Sequence, residues 1–217
     1  MKTTPSFILN IVLAAALAVV SVQLVKSRNA GSADEAAAAD TTAVAQGDFK
    51  EFDPAKDFDA NPFTFFTGKG LLLAAGDSVR HNAMTIGWGQ LGNIWGQDTK
   101  TITVFVAQQR FTHGFMERAK YFTVMKMPDS KADVLDYMGS HSGRDGDKAE
   151  ALGLHTLYTE HGTPYYAEAS QVYECEIIYH TQLDSTGFGD IPREVYKDYT
   201  AGIHSVYMGR IVKALKK

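Results

Sequence analysis

Short segments with the character of β-strands dominate this chain from residue 70 onward. Residues 101–107 alternate between polar and apolar side chains, as a half-buried strand does. Residues 111–120 and 131–139 have helical spacing instead, and Gly139 is expected to end the second helix. Many short strands with two inserted helices predict a mainly β fold, a closed antiparallel β-barrel rather than a parallel sheet. The predicted strands are residues 70–75, 80–89, 101–107, 121–125, 157–159, 165–179 and 203–215.

A long apolar run precedes this part of the chain. Residues 7–25 contain three polar side chains, with Lys2 before them and Lys26 and Arg28 after them. As a helix the run would span roughly 28 Å, close to the hydrocarbon thickness of about 30 Å. A core helix would be amphipathic, whereas this run is apolar on every side. We therefore expect residues 1–28 to be a signal peptide or a membrane anchor, with an uncleaved anchor favoured because the small-residue cleavage site lies beyond the two cations.

The remaining chain divides into a linker and one domain. Residues 29–47 are rich in alanine and poor in large apolar groups, so we expect a flexible linker, followed by a globular domain over residues 48–217. Beyond residue 29 there are 18 Lys and Arg against 25 Asp and Glu, because three of the 21 basic residues precede it. A net charge of minus seven argues against nucleic acid as a partner. The anchor predicts a location in the cell envelope, inner-membrane-anchored or exported, with the periplasmic side favoured.

The chain has one cysteine, so it has no intramolecular disulfide. Cys175 alternates with Glu174 and Glu176, which predicts a strand residue that faces the core. The seven histidines are scattered without the spacing of a helical or strand metal site. We therefore expect no metal.

Residues 82–88 carry the first candidate binding site. Asn82 and Thr85 interrupt an apolar strand, and Gly87 allows a ligand to approach the backbone closely. This combination predicts a strand that contacts a polar, planar ligand. Trp88 is either a ring that stacks on that ligand or a core aromatic.

Residues 87–92 match the dinucleotide-binding pattern Gly-x-Gly-x-x-Gly. That motif needs a strand, a tight turn and then a helix whose amides face the pyrophosphate. Here another strand follows, so a hairpin loop is predicted instead.

A phosphate site is predicted around Arg110 and Thr112, where the strand of residues 101–107 ends and a helix begins. Unpaired backbone N–H groups and a fork-shaped guanidinium suit a phosphate monoester. The alternative is that Thr112 caps the helix and Arg110 is simply solvated.

Residues 140–148 form a third candidate site. Ser142, Arg144 and Lys148 place a hydroxyl and two cations in a loop that also contains glycines, and such loops bind anions. An ordinary polar surface loop is the alternative, since Ser, Gly, Asp and Lys are its usual residues.

Five segments, in this order, resemble the flavin reductase-like family and its flavoredoxin-type branch. The resemblance covers roughly residues 65–215 and implies a split β-barrel homodimer with FMN near the subunit interface. The segments are Asn-Ala-Met-Thr-Ile-Gly-Trp from residue 82, Arg-Phe-Thr-His from 110, Tyr-Phe-Thr-Val from 121, Ser-His-Ser-Gly-Arg-Asp-Gly-Asp-Lys from 140, and Tyr-Met-Gly-Arg-Ile-Val from 207.

The resemblance also implies a role for each part of the site. Residues 82–85 would contact the isoalloxazine and ribityl parts of FMN, Arg110 and Thr112 would hold its phosphate, and Arg144 and Lys148 would approach from the loop. No catalytic side chain is predicted, because hydride transfer to a flavin needs no general base. The candidate cofactor-binding residues are Asn82, Ala83, Met84, Thr85, Ile86, Trp88, Arg110, Thr112, Ser142, Arg144 and Lys148.

The expected electron donor of the family, NAD(P)H, conflicts with the predicted anchor. An exported domain would lie outside the compartment that supplies reduced nicotinamide. We therefore expect a membrane-tethered FMN oxidoreductase that passes electrons between flavin and a partner protein, a quinone or an extracellular acceptor, with NAD(P)H as a co-substrate if the domain faces the cytoplasm. A non-catalytic flavin- or haem-binding module on the same barrel is the alternative.

Overall fold

The computed structural model describes residues 48–96 and 98–217. Asp48–Lys217 forms one compact unit. The predicted anchor at residues 1–28 and the predicted linker at residues 29–47 lie outside the described residues. Within the described ranges, every helix is too short or too polar to cross a membrane.

The described residues form ten strands and five short helices. The strands are β1 (Lys50–Glu51), β2 (Leu71–Gly76), β3 (His81–Ile86), β4 (Gly89–Asn93), β5 (Lys100–Ala107), β6 (Tyr121–Lys126), β7 (Thr156–Tyr158), β8 (Pro164–Tyr166), β9 (Gln171–Gln182) and β10 (His204–Lys216). The helices are α1 (Pro54–Asp57), α2 (His113–Met116), α3 (Ala132–Ser140), α4 (Lys148–Ala151) and α5 (Asp190–Lys197), with 3₁₀ turns at Asp129–Lys131 and Ser185–Gly187.

Eight strands pair in one antiparallel sheet. Its order is β3-β2-β6-β9-β10-β5-β4, and β1 pairs with the far end of β10. The remaining strands, β7 and β8, form a separate hairpin. The two end strands of the path, β3 and β4, follow one another along the chain but form no ladder with each other among the described residues. The mainly β, antiparallel prediction is therefore confirmed, whereas closure of the barrel by pairing of β3 with β4 is not found among the described residues.

One face of this sheet encloses the main core. Leu71, Leu73 and Ala75 of β2 point into it, together with Cys175 of β9 and Tyr207 of β10. The alternate residues of β2 pack on the other face, against α3. The thiol of Cys175 is fully buried, as its strand position predicted, and burial raises its pKa well above the ordinary value.

Gly209 shows how tightly this core is packed. A Cβ at that position would lie 2.5 Å from Cζ of Phe122 and 2.6 Å from Cβ of Cys175. The β9–β10 register shifts between Met208 and Gly209, so the ladder is irregular at the same point. Only glycine fits at this position, because side chains of two other strands already fill the space that its own side chain would occupy.

Four local predictions differ from the structure. The helix expected over residues 111–120 is the single turn α2, although its Phe111–Phe115 ring contact does form, with centroids 5.3 Å apart. Gly139 lies inside α3, which continues to Ser140. Residues 165–179 form two strands, β8 and part of β9, separated by residues 167–170.

The fourth difference concerns the glycine-rich segment that follows β3. No helix follows these glycines, so the absence of a dinucleotide-binding turn is confirmed, but residues 89–93 are the strand β4 rather than a hairpin loop. The ring of Phe66 occupies the space where a side chain of Gly89 would be. Glycine is thus needed on this strand to make room for a neighbouring ring. The pattern of apolar residues in the sequence does not reveal such a need.

Candidate functional site

Two adjoining cavities lie beside the edge strand β3, and together we call them the β3 cleft. Their volumes are about 190 Å³ and about 170 Å³. Each alone is smaller than a typical ligand pocket of roughly 300 Å³, but the two share part of their walls. The shared lining residues are Asn82, Phe111, Met138, Gly143 and Lys148.

A buried hydrogen bond ties β3 to the segment before α2. Asn82 Nδ2 donates to Thr112 Oγ1 at 2.7 Å and to the carbonyl of Ala83 at 3.2 Å. Both side chains are buried, and the Thr112 hydroxyl makes no capping bond to α2. The capping alternative for Thr112 is therefore wrong. A Cβ at Gly143 would collide with Oδ1 of Asn82, so the loop after α3 approaches Asn82 only because residue 143 is glycine.

Three cations line the second cavity of the cleft: Arg110, Arg144 and Lys148. None of the described residues that line it is an Asp or a Glu. Arg144 donates to the carbonyl of Gln109 at 3.2 Å, and its guanidinium lies 5.2 Å from the centre of the Phe111 ring. Positive charge without a lining carboxylate makes this cavity suitable for an anion.

Lys148 is the buried member of this set. It is 7% exposed, and its Nζ donates to the carbonyl of Met138 at 3.0 Å. Asp147 caps α4 by accepting from the backbone N–H of Ala149 at 2.8 Å, which places Lys148 on the first helical turn. Burial, and then the charge of Arg110, lower the pKa of Lys148 to about 8. The surface-loop alternative is therefore wrong for this residue.

The structure brings eight of the eleven predicted residues to the cleft. Ser142 is among them, and its Oγ accepts from the backbone N–H of Arg144 at 3.2 Å. Residues that the sequence did not single out, Phe111, Met138 and Gly143, complete the walls; the position of Met138 on the apolar face of a predicted helix was the available signal. The eight residues are Asn82, Ala83, Met84, Arg110, Thr112, Ser142, Arg144 and Lys148.

Two predicted residues have side chains directed elsewhere. Thr85 Oγ1 donates to the carbonyl of Leu135 at 2.6 Å and so anchors α3 on β3. Ile86 is 3% exposed and belongs to the main core. Both can offer only backbone groups to a ligand. Among the described residues β3 pairs with β2 alone, so its outer edge has backbone N–H groups outside the ladder.

Trp88 lies in an aromatic cluster rather than along the described walls of the cleft. Its ring centroid is 4.6 Å from that of His204 and 6.0 Å from that of Tyr199. Because Trp88 is 42% exposed, the core-aromatic alternative is wrong. The sequence did not predict these partners, and the closely spaced tyrosines before β10 were the only signal of them.

His204, a member of this cluster, is affected by the charge of a residue that lines the cleft. Its Nδ1 lies 2.8 Å from the hydroxyl of Tyr196, on α5. Burial, and then the charge of Arg110, lower the pKa of His204 to about 4. The charge of Arg110, which lines the cleft, thus affects both Lys148 and His204.

Solved structures share this fold. An FMN-binding protein from Thermus thermophilus is 24% identical, covering 68% of this chain and 70% of its own, with a TM-score of 0.52. Flavoredoxin from Methanosarcina acetivorans is 20% identical, covering 68% and 67%, also with a TM-score of 0.52. An FMN-binding domain of a flavin reductases-like enzyme from Shewanella baltica is 16% identical, covering 78% and 77%, with a TM-score of 0.55.

A sequence search of curated proteins finds no match. In contrast, the family model described as flavin reductase like domain matches residues 65–216, which include every strand of the main sheet except β1. The chain therefore belongs to the flavin reductase-like family.

Proposed function

We propose that this chain is an FMN-dependent oxidoreductase that holds its cofactor in the β3 cleft. The observation that carries the proposal is the set of three cations in the second cavity, which no carboxylate of the described residues lines, beside an edge strand that pairs on one side only among those residues. FMN has a doubly charged phosphate at one end and a polar, planar ring at the other, which matches these two features. The FMN-binding protein and the flavoredoxin with the same fold support this choice.

Each group in the cleft has a distinct task in this proposal. Arg110 and Arg144 bind the phosphate through their guanidinium forks, and Lys148 adds a third charge. Asn82, fixed by Thr112, presents its amide to the ribityl chain, and the outer edge of β3 faces the ring. When bound, FMN supplies the electron-transfer chemistry, while the chain supplies position and charge.

The predicted anchor decides which electron donor is available. We propose that the domain is tethered on the periplasmic side and exchanges electrons with a partner protein, a quinone or an extracellular acceptor. NAD(P)H serves as donor only if the domain faces the cytoplasm. The apolar residues 7–25 support the tether.

We also propose that the chain forms a homodimer. Its support is a set of exposed apolar side chains, since large apolar groups on a surface often mark an interface. α5 has no buried residue, and its Ile191 is 82% exposed while Val195 is 41% exposed. Trp88 lies against the same helix and is half exposed.

Replacing Arg110 with Gln should weaken FMN binding by about 10- to 150-fold, the equivalent of roughly 1.5–3 kcal/mol for a hydrogen bond to a charged group. Quenching of FMN fluorescence during titration of the full chain in detergent micelles measures the affinity. Arg193→Gln removes the same charge from α5, outside the cleft, and should leave binding unchanged. Equal FMN affinity in wild type and Arg110→Gln would show that Arg110 does not contribute to FMN binding.

FMN affinity should fall as the pH rises from 7 to 9. Below a pH of about 8 Lys148 is protonated and attracts the phosphate, and above that pH its charge is lost. Because bound FMN favours the protonated form, it shifts the midpoint of this titration to a higher pH. The phosphate itself stays doubly charged over this range, since its second pKa is about 6. In Lys148→Met the affinity should be lower at pH 7 and nearly independent of pH. A slope that persists in this variant would assign the effect to another group.

The donor is identified by anaerobic stopped-flow reduction of the FMN-loaded full chain. Rapid reduction by a quinol and slow reduction by NADH is the expected result for a periplasmic domain. Fast reduction by NADH, together with a cytoplasmic position of the C-terminal domain in topology mapping, would overturn the tethered electron carrier. A chain that binds FMN, accepts electrons from neither donor and resists reduction by dithionite as well would instead be a non-catalytic flavin module.

Sedimentation of the full chain in detergent should give twice the mass of one chain after correction for bound detergent. Ile191→Asp places a charge on the exposed face of α5 and should shift the protein toward monomer. Lys197→Ala, at the end of the same helix, is the matched control. Monomeric wild-type protein would contradict the dimer.

A further inference from the structure

A larger cavity, of about 600 Å³, lies next to the β3 cleft and plays no part in the proposed binding of FMN. Arg80 and Phe115 line both it and the first cavity of the cleft. We call it the Arg118 cavity. Its charged and titratable lining residues are Asp77, Arg80, Arg118, Lys120, Tyr121 and His161.

Two guanidinium groups of this cavity contact the same aromatic ring. Arg80 lies 5.7 Å and Arg118 lies 5.6 Å from the centre of the Phe115 ring. Neither forms a salt bridge with a carboxylate in the described part of the chain. Two like charges thus contact one ring, and that contact neutralises neither of them.

The nearby carboxylates are largely committed to other groups. Asp77 Oδ1 accepts from the backbone N–H groups of Val79 and Arg80, both at 2.8 Å. Glu176 lies 3.7 Å from Nζ of Lys120 and is shared with Arg210. Among the described residues that line it, the cavity therefore has three cations, of which Lys120 also lies near Glu176, against the one carboxylate of Asp77.

His161 is held in a fixed orientation at the wall of this cavity. Its ring stacks on Tyr121 with centroids 4.2 Å apart, and its Nδ1 lies 3.2 Å from Oε2 of Glu174. Glu174 is 2% exposed, and its Oε1 accepts from the hydroxyls of Thr159 and Thr163. The buried Oε2 lies near Nδ1 without a hydrogen bond to it, so the stack on Tyr121 is the contact that orients the imidazole.

We propose that the Arg118 cavity binds a phosphate-bearing small molecule of nucleotide size, with its phosphate groups among Arg118, Lys120 and His161. The volume lies within the range of roughly 300–1,000 Å³ for small-molecule sites. Guanidinium forks, an ammonium and an oriented imidazole are the groups that recognise phosphate oxygens. Because Arg80 and Phe115 belong to both cavities, this ligand lies directly beside the proposed cofactor.

The test is a calorimetric titration of inorganic pyrophosphate into the FMN-saturated full chain in detergent micelles at fixed ionic strength. One saturable site per chain is expected. Arg118→Gln and His161→Phe, the second of which keeps the stack on Tyr121, should each weaken binding by about tenfold or more, as expected for loss of a charge-assisted hydrogen bond. Neither change should alter FMN affinity, since neither residue lines the β3 cleft.

Two controls separate this site from other sources of binding. Arg193→Gln removes the same charge elsewhere on the surface and should leave pyrophosphate affinity unchanged; an equal loss there would show that only net charge matters. In Arg110→Gln without FMN, one site should remain. A titration that never saturates, unchanged affinity in Arg118→Gln, or loss of the site in Arg110→Gln would overturn the proposal, the last because pyrophosphate would then be occupying the β3 cleft.

Discussion

The hydrogen bond between Asn82 and Thr112 holds the β3 cleft together. It connects the edge strand of the sheet to the segment that carries Arg110, over a separation of thirty residues in the sequence. Both side chains are buried, and a buried polar group left without a partner costs about 1–3 kcal/mol. The bond therefore fixes Thr112, and with it Arg110 two residues earlier, relative to β3. Gly143 completes the arrangement, because any side chain there would displace Asn82.

The charges of the cleft work against the stability of the protein without ligand. Burial, and then the charge of Arg110, lower the pKa of Lys148 to about 8, so its protonated form is disfavoured in the folded state. The same lysine remains charged in the unfolded chain up to its ordinary value near 10.5. Between these two values the unfolded state binds more protons, so the free energy of unfolding of the ligand-free protein rises with pH. An anion beside Lys148 would favour its protonated form and so offset part of this penalty.

The sequence predicted the features that depend on local pattern. Alternation placed Cys175 in the core, and strand periodicity found most of the main sheet, because both follow from which face of a strand is buried. Prediction from the sequence failed where contacts with residues distant in the sequence determine the structure. Gly89 lies in a strand in which the ring of Phe66 occupies the space of a side chain. Trp88 contacts α5, which lies about a hundred residues further along the sequence. The motifs identified most of the residues of the cleft, but they did not show which side chains face it. Thr85 and Ile86 belong to the motif that begins at residue 82, yet their side chains point elsewhere.

The way the arginines are held explains how the two cavities keep their positive charge. The guanidinium groups of Arg144, at 5.2 Å, and Arg80, at 5.9 Å, both lie near the centre of the Phe111 ring. Those of Arg80, at 5.7 Å, and Arg118, at 5.6 Å, lie near the centre of the Phe115 ring. A salt bridge would orient a guanidinium but cancel its charge, whereas an aromatic face orients it and leaves its N–H donors available to an anion. The two phenylalanine rings thus connect three arginines, Arg144, Arg80 and Arg118, from the β3 cleft to the Arg118 cavity, and anions bound in these cavities would lower the repulsion among them.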